Sequence, residues 1–145
     1  MTSMKCALSM TARFGLLIVA AYCSACVDPC GNEVISEQYS PNREFRAVVF
    51  QRDCGATTGF STQVSVLAAK QRFPTEGSWL QSTKPGNVFV ADTDHGNAPS
   101  GSGGGPDIRL EWTGPRQLRI THDKRARVSV RQKKIDIVDV EYLAR

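Results

Sequence analysis

Turn-forming residues limit what this chain can become more than any other feature. Ser40-Pro41-Asn42-Arg43, Lys84-Pro85-Gly86-Asn87, the low-complexity stretch 97–106 and Thr113-Gly114-Pro115 cut the sequence into short runs. Proline pre-sets the second position of a turn, asparagine bonds its own backbone, and glycine adopts conformations closed to other residues. The runs between them are rich in β-branched and aromatic residues: 33–39, 45–52, 63–69, 88–91, 108–112, 117–121, 127–131 and 135–142. Such runs, bounded by turn residues, read as strands. Seven to eight short strands without a convincing helix imply an all-β fold: a single antiparallel meander or sandwich, or a partly open barrel.

The pattern within the runs adds detail. Ile108-Arg109-Leu110-Glu111-Trp112 and Gln117-Leu118-Arg119-Ile120-Thr121 each alternate, so 108–121 is expected to be a hairpin with its apolar face inward. Val64, Val66 and Ala68 share one face. In the last run the apolar set changes parity between Ile137 and Val138, which predicts a β-bulge or burial on both faces. The polar stretch 71–82, with Pro74, Gly77 and Trp79, is expected to be a loop or a short helical turn. The Gly/Ser-rich 97–106 is expected to be a mobile surface loop. Ser40-Pro41-Asn42 followed by Ala47-Val48-Val49 resembles one strand–turn–strand piece of the repeats in Tol-type β-propellers. The piece occurs once, whereas a propeller needs several blades of about 40 residues. The resemblance therefore implies a shared hairpin and nothing further.

The N-terminus reads as an export signal. Lys5 and Arg13 are the only charges before Asp28, and Phe14-Gly15-Leu16-Leu17-Ile18-Val19-Ala20-Ala21 is an apolar run too short to span a bilayer as a helix. Ser24-Ala25-Cys26 at its end resembles a bacterial lipobox, although Cys23 stands where that family usually has Leu. The resemblance implies cleavage before Cys26 and acylation of its sulfur. It divides the chain into a signal peptide (1–25), a lipidated tether (26–32) and a β-domain (33–145). Val27, rather than Asp, follows the cysteine, which by resemblance to Gram-negative lipoproteins implies outer-membrane sorting on the periplasmic face. An ordinary signal-peptidase site after Val19-Ala20-Ala21, giving a secreted or periplasmic soluble protein, stays open, as does a retained anchor. All three place the domain outside the cytoplasm.

The cysteines fit that compartment. Of Cys6, Cys23, Cys26, Cys30 and Cys54, the first two leave with a lipoprotein signal and Cys26 carries lipid. Cys30 and Cys54 remain as an even pair in an oxidising compartment. Cleavage after Ala21 keeps four cysteines, which also pair evenly. A Cys30–Cys54 bridge closes a loop of about 25 residues, on the order of 3–4 kcal/mol in the chain-entropy model. With 145 residues in all and 41% hydrophobic composition, the chain makes at most one domain with a modest core, so a covalent tie is useful.

Three stretches are candidate sites. Asp92, Asp94 and His95 follow the end of a strand, and two carboxylates with an imidazole suit a divalent cation or acid–base chemistry. The same residues also belong in turns, where they bond their own backbone. Cys54-Gly55-Ala56-Thr57-Thr58-Gly59-Phe60-Ser61-Thr62 offers hydroxyls and a Gly-rich turn whose N–H groups suit an anion. A Ser or Thr nucleophile there needs a base, and His95 and His122 are the only histidines. As a stapled hairpin, the stretch instead uses Gly55 and Gly59 as positive-φ positions. From Arg116 to Lys134 there are eight Lys or Arg against one Asp. Arg119, Arg127, Arg131, Lys133 and Lys134 are expected to make a basic surface, with Leu118, Ile120, Val128 and Val130 inward. Such a face suits anionic headgroups, an envelope polymer or an acidic protein. It equally suits a solvated edge that resists pairing.

The composite resembles small bacterial lipoproteins with all-β domains, and Arg52-Asp53-Cys54-Gly55-Ala56-Thr57-Thr58-Gly59-Phe60-Ser61-Thr62-Gln63 is similar to a signature of one such family of unknown function. No activity and no catalytic residue come with that resemblance. The expected role is a non-enzymatic envelope module. It is anchored by its N-terminal lipid and binds an envelope protein or an anionic polymer, without nucleic acid and without a cofactor. The alternative is a metal-dependent or acid–base hydrolase using Asp92, Asp94 and His95.

Overall fold

The computed structural model describes residues 30–55, 59–75 and 85–145. Among these are nine strands: β1 (Gly31–Tyr39), β2 (Phe45–Asp53), β3 (Ser61–Ala68), β4 (Phe89–Asp92), β5 (Ile108–Gly114), β6 (Gln117–His122), β7 (Arg127–Arg131), β8 (Lys134–Ile135) and β9 (Val138–Ala144). No described residue is helical. The strands form two sheets, β1-β2-β3-β4-β7 and β5-β6-β9-β8. The pairs are antiparallel except β6 with β9, which run parallel. That exception follows from the path: the chain leaves β6, crosses to the edge of the first sheet as β7, returns through β8, and enters beside β6 in the same direction.

The core lies between the sheets. Ala47, Val49, Val64, Val66, Phe89 and Ala91 from the first sheet meet Leu110, Leu118, Ile120, Val138 and Val140 from the second. The period-2 alternation of β5 and β6 is the direct cause, since every second side chain must leave water. β2 differs. Its Val48 and Phe50 point away from that core, into a second cluster closed by Phe73 with Val34 and Leu67 against it. The Phe50 and Phe73 ring centroids are 4.8 Å apart. Burial on both faces is why β2 reads as a continuous apolar run rather than an alternation.

The two flanks of the sandwich are tied by side chains. On one, Trp112 Nε1–H donates to the Gln38 carbonyl at 3.1 Å. On the other, the Tyr142 hydroxyl lies 2.7 Å from the Gln132 carbonyl and 3.0 Å from that of Val88. At one end of the first sheet Gly31 faces Asp53, and Ser61 and Arg127 flank Asp92. Ile108 and His122 of the second sheet belong to that same end, where Cys30 and Cys54 form a disulfide. The opposite end carries the turn 40–44, Ala68, the turn between β5 and β6, and β8.

Several local expectations need correction. The last run is two strands: Asp136 and Ile137 form a turn, with Asp136 at φ 53°, between β8 and β9. The parity change at Ile137 is thus a tight turn, not a bulge within one strand. A bulge does occur where β4 meets β7, between Val90 and Ala91. It sets Val128 opposite the buried Ala91 and Val130 opposite Val90, so only Val128 packs against the core. The glycine-rich segment is folded onto the first sheet. Ser100 bridges Pro106, the Gly101 N–H donates to the Gly105 carbonyl at 2.7 Å, and Gly105 and Pro106 are buried. A Cβ on Gly105 would lie 2.5 Å from the Thr62 backbone nitrogen, so this glycine allows the close approach.

Candidate functional site

Asp92 ends β4, and residues 93–98 close a turn in which the Thr93 carbonyl accepts from the N–H groups of Gly96 at 3.1 Å and Ala98 at 3.0 Å. Asp94 and His95 both have positive φ, at 49° and 58°. Short polar side chains tolerate that region by bonding locally, and Asp94 does so. Its carboxylate accepts from Asn97 Nδ2 at 2.9 Å. The Asp92 carboxylate accepts from the Asp94 N–H at 2.8 Å and from Arg127 Nη2 at 2.7 Å and Nε at 3.1 Å. Burial pushes the Asp92 pKa up. The hydrogen bonds from Arg127 and the Asp94 N–H, with the charges of Arg127 and His95, outweigh it and hold the carboxyl below its usual range. His95 is exposed. Among the described residues no three His, Cys, Asp or Glu side chains converge at ligating distance. The geometry is that of a capped turn locked across strands by an ion pair.

Within the Cys54 stretch, Thr57 and Thr58 lie outside the described residues. Gly55 has φ 97°, as a tight turn requires, and its N–H donates to Asp53 Oδ1 at 2.8 Å. Ser61 and Thr62 belong to β3 rather than to the loop. Thr62 is buried, and Ser61 Oγ accepts from Gln63 Nε2 at 2.7 Å. The described hydroxyls therefore serve the strand. His122 is buried beside Phe89, its ring centroid 5.2 Å away, with Nδ1 2.9 Å from the Asp123 carbonyl. Its Nε2 has no partner among the described residues.

The five basic candidates do not share one surface. Arg119 is on the outer face of the second sheet, between Glu141 at 3.0 Å and Glu111 at 3.1 Å, and both hold it more firmly protonated. Arg127 belongs to Asp92. Arg131 lies over the Tyr142 ring, 4.7 Å from its centroid. With Lys133 and Lys134 it leads toward the end opposite the disulfide. Lys134 is 3.7 Å from Asp139. Further cations stand at that end that the sequence did not single out, among them Arg43, 5.1 Å over the Tyr39 ring, Lys70, and Arg116, 3.9 Å from Glu44. Arg43, Lys70, Arg131 and Lys133 have no carboxylate partner among the described residues. Between the segments that bear them, Phe45, Ala68, Gln71, Ile135 and Asp136 line a depression of about 240 Å³. The only sequence signal for this grouping was Lys and Arg in turns, which is too common to single them out.

Cys26, the acylation candidate, lies outside the described residues. No described helix is long and apolar enough to cross a membrane. Comparison with protein families, with characterised proteins and with solved structures returns no match.

Proposed function

We propose that the protein is an envelope-tethered lipoprotein whose β-domain is a binding module rather than an enzyme. The observation that carries this is the set of cations toward the end opposite the disulfide, Arg43, Lys70, Arg131 and Lys133, each exposed and without a carboxylate partner among the described residues. The Cys30–Cys54 disulfide adds support, since such bonds persist in oxidising compartments. Uncompensated positive charge attracts anionic partners and speeds their encounter. The partner is an anionic envelope polymer or the acidic face of an envelope protein. A hydrolase built on Asp92, Asp94 and His95 has less support, because Arg127 and the Asp94 N–H already occupy the Asp92 carboxylate.

Co-sedimentation of the processed protein with isolated cell-wall polymer, at low and high salt, tests the polymer arm. Photocrosslinking from position 133 in intact envelopes tests the protein arm. Binding that weakens with salt, or a specific crosslink, is expected, and Lys70→Glu/Arg131→Glu should abolish either. No binding and no crosslink would overturn the proposal. An Asp92→Ala/Asp94→Ala/His95→Ala protein that folds but loses all activity in a phenotypic assay would revive the hydrolase.

A further inference from the structure

The position of the disulfide fixes how the domain stands relative to its anchor. If Cys26 carries lipid, four peptide units separate it from Cys30. At roughly 3.6 Å each they span at most about 14 Å. Cys30 is buried, begins the chain into β1 and is bonded to Cys54, so the tether cannot lengthen by peeling β1 off the sheet. One end of the sandwich must therefore lie close to the bilayer.

That end presents apolar surface. Phe60 is 46% exposed and Ile35 40% exposed, the former more than any other large hydrophobic side chain among the described residues. The glycine segment runs between them. A Cβ on Gly103 would come within 2.7 Å of Ile35 Cδ1, and one on Gly104 within 2.7 Å of the Phe60 ring. The two side chains thus flank a strip of nearly bare backbone. Charge there is largely matched: Arg127 pairs with Asp92 and lies 3.9 Å from Asp94, and Arg125 pairs with Asp123, while Arg109, Lys124 and Arg145 stand with Asp53 and Asp107. A near-neutral surface with an exposed aromatic ring suits the headgroup–acyl boundary, where apolar side chains sit shallowly.

We propose that this end rests on the bilayer through Phe60 and Ile35, held there by the Cys30–Cys54 disulfide, so that the basic end points away from the membrane. The proposal depends on lipidation at Cys26, and the test separates the two. Full-length Phe60→Trp and Ile137→Trp proteins, processed in a bacterial host, are reconstituted into phosphatidylethanolamine–phosphatidylglycerol vesicles with bromine-labelled acyl chains. Ile137 serves as control because it lies in the turn at the opposite end. Emission of the parent, which contains Trp79 and Trp112, is subtracted.

The proteins should float with the vesicles. The added tryptophan at position 60 should be blue-shifted and quenched about twofold or more, as expected for shallow insertion, and that at 137 should not. Inserting a Gly/Ser segment of about ten residues between Pro29 and Cys30 leaves the domain intact and lengthens the tether; quenching at 60 should fall. Failure to float overturns lipidation and this proposal together. Flotation without quenching at 60 overturns the orientation only, as does a blue shift without bromine quenching, which would place a second copy or another protein on the patch. Quenching that persists undiminished with the long tether overturns the role given to the disulfide.

Discussion

Removing the Cys30–Cys54 disulfide should cost the domain a large part of its stability. The two cysteines are 24 positions apart and close a ring of about 25 residues. The chain-entropy relation gives about 12 cal/mol/K for that ring, or roughly 3.5 kcal/mol at 25 °C. For a domain of roughly 115 residues, each kcal/mol moves the midpoint by about 4 °C, so Tm should fall by roughly 14 °C. The bond joins the residue before β1 to the residue after β2, and β1 is an edge strand whose one ladder is with β2. Nothing else covalent compensates for it there. The assay is chemical denaturation of the processed domain, comparing the parent with Cys30→Ala/Cys54→Ala under oxidising conditions and the parent under reductant. Both should lose similar stability, with m rising because the unlinked unfolded chain is less compact and exposes more surface. A loss below about 1 kcal/mol would refute the reasoning, as would two free thiols in the untreated parent.

Other outcomes follow from particular contacts. Arg125, through side-chain and backbone hydrogen bonds, holds the Asp123 carboxyl at about 2 against a usual 3.8, and Asp92 is also held low. Both are depressed in the folded state, so their contribution is complete above roughly pH 4 and is lost as pH falls toward 2. Tm should drop in that window, and less steeply in Asp123→Asn; equal slopes would contradict the assignment. Burial pushes the Tyr142 phenol up to about 12, so its contribution is complete below pH 10 and is lost as pH rises from 10 toward 12. Tyr142→Phe removes the hydrogen bond to Gln132 or Val88 and should cost about 1–2 kcal/mol in denaturant melts. No loss would mean that the flank is not tied there. Gly105→Ala meets the Thr62 backbone and should cost about 2–3 kcal/mol. Gly31→Ala, with nothing within 4 Å, should stay within about 0.5 kcal/mol of the parent.

Most of the strands were legible because turn chemistry is local. Pro41 and Asn42 end one strand and Gly114 and Pro115 another whatever the rest of the chain does. The disulfide was legible through the parity of the cysteines that an expected export signal leaves behind. What depends on distant partners was not. Val48 and Phe50 are buried because Phe73 returns across the sheet, and no periodicity in β2 announces that cover. The parallel β6–β9 pair depends on a crossing made after β6. The basic surface failed as a single face for a related reason. A charge read along the chain ignores its cross-strand partner: Arg127 meets Asp92, which lies 35 residues earlier. One such partner was within reach, since the hairpin register about the turn at 115–116 sets Glu111 opposite Arg119. The Asp92–His95 cluster looked chemical because its residue types suit both a cation and a turn. Positive φ at Asp94 and His95, and the hydrogen bonds that stabilise it, favour the turn.

Intact mass and N-terminal mapping of the protein recovered from bacterial membranes test the envelope-lipoprotein proposal most directly. A chain that begins at Cys26 and carries the mass of a diacylglyceryl group on its sulfur is the predicted result, with Cys30 and Cys54 joined. A mature chain that begins at Tyr22 without lipid, or retains Met1, would contradict it.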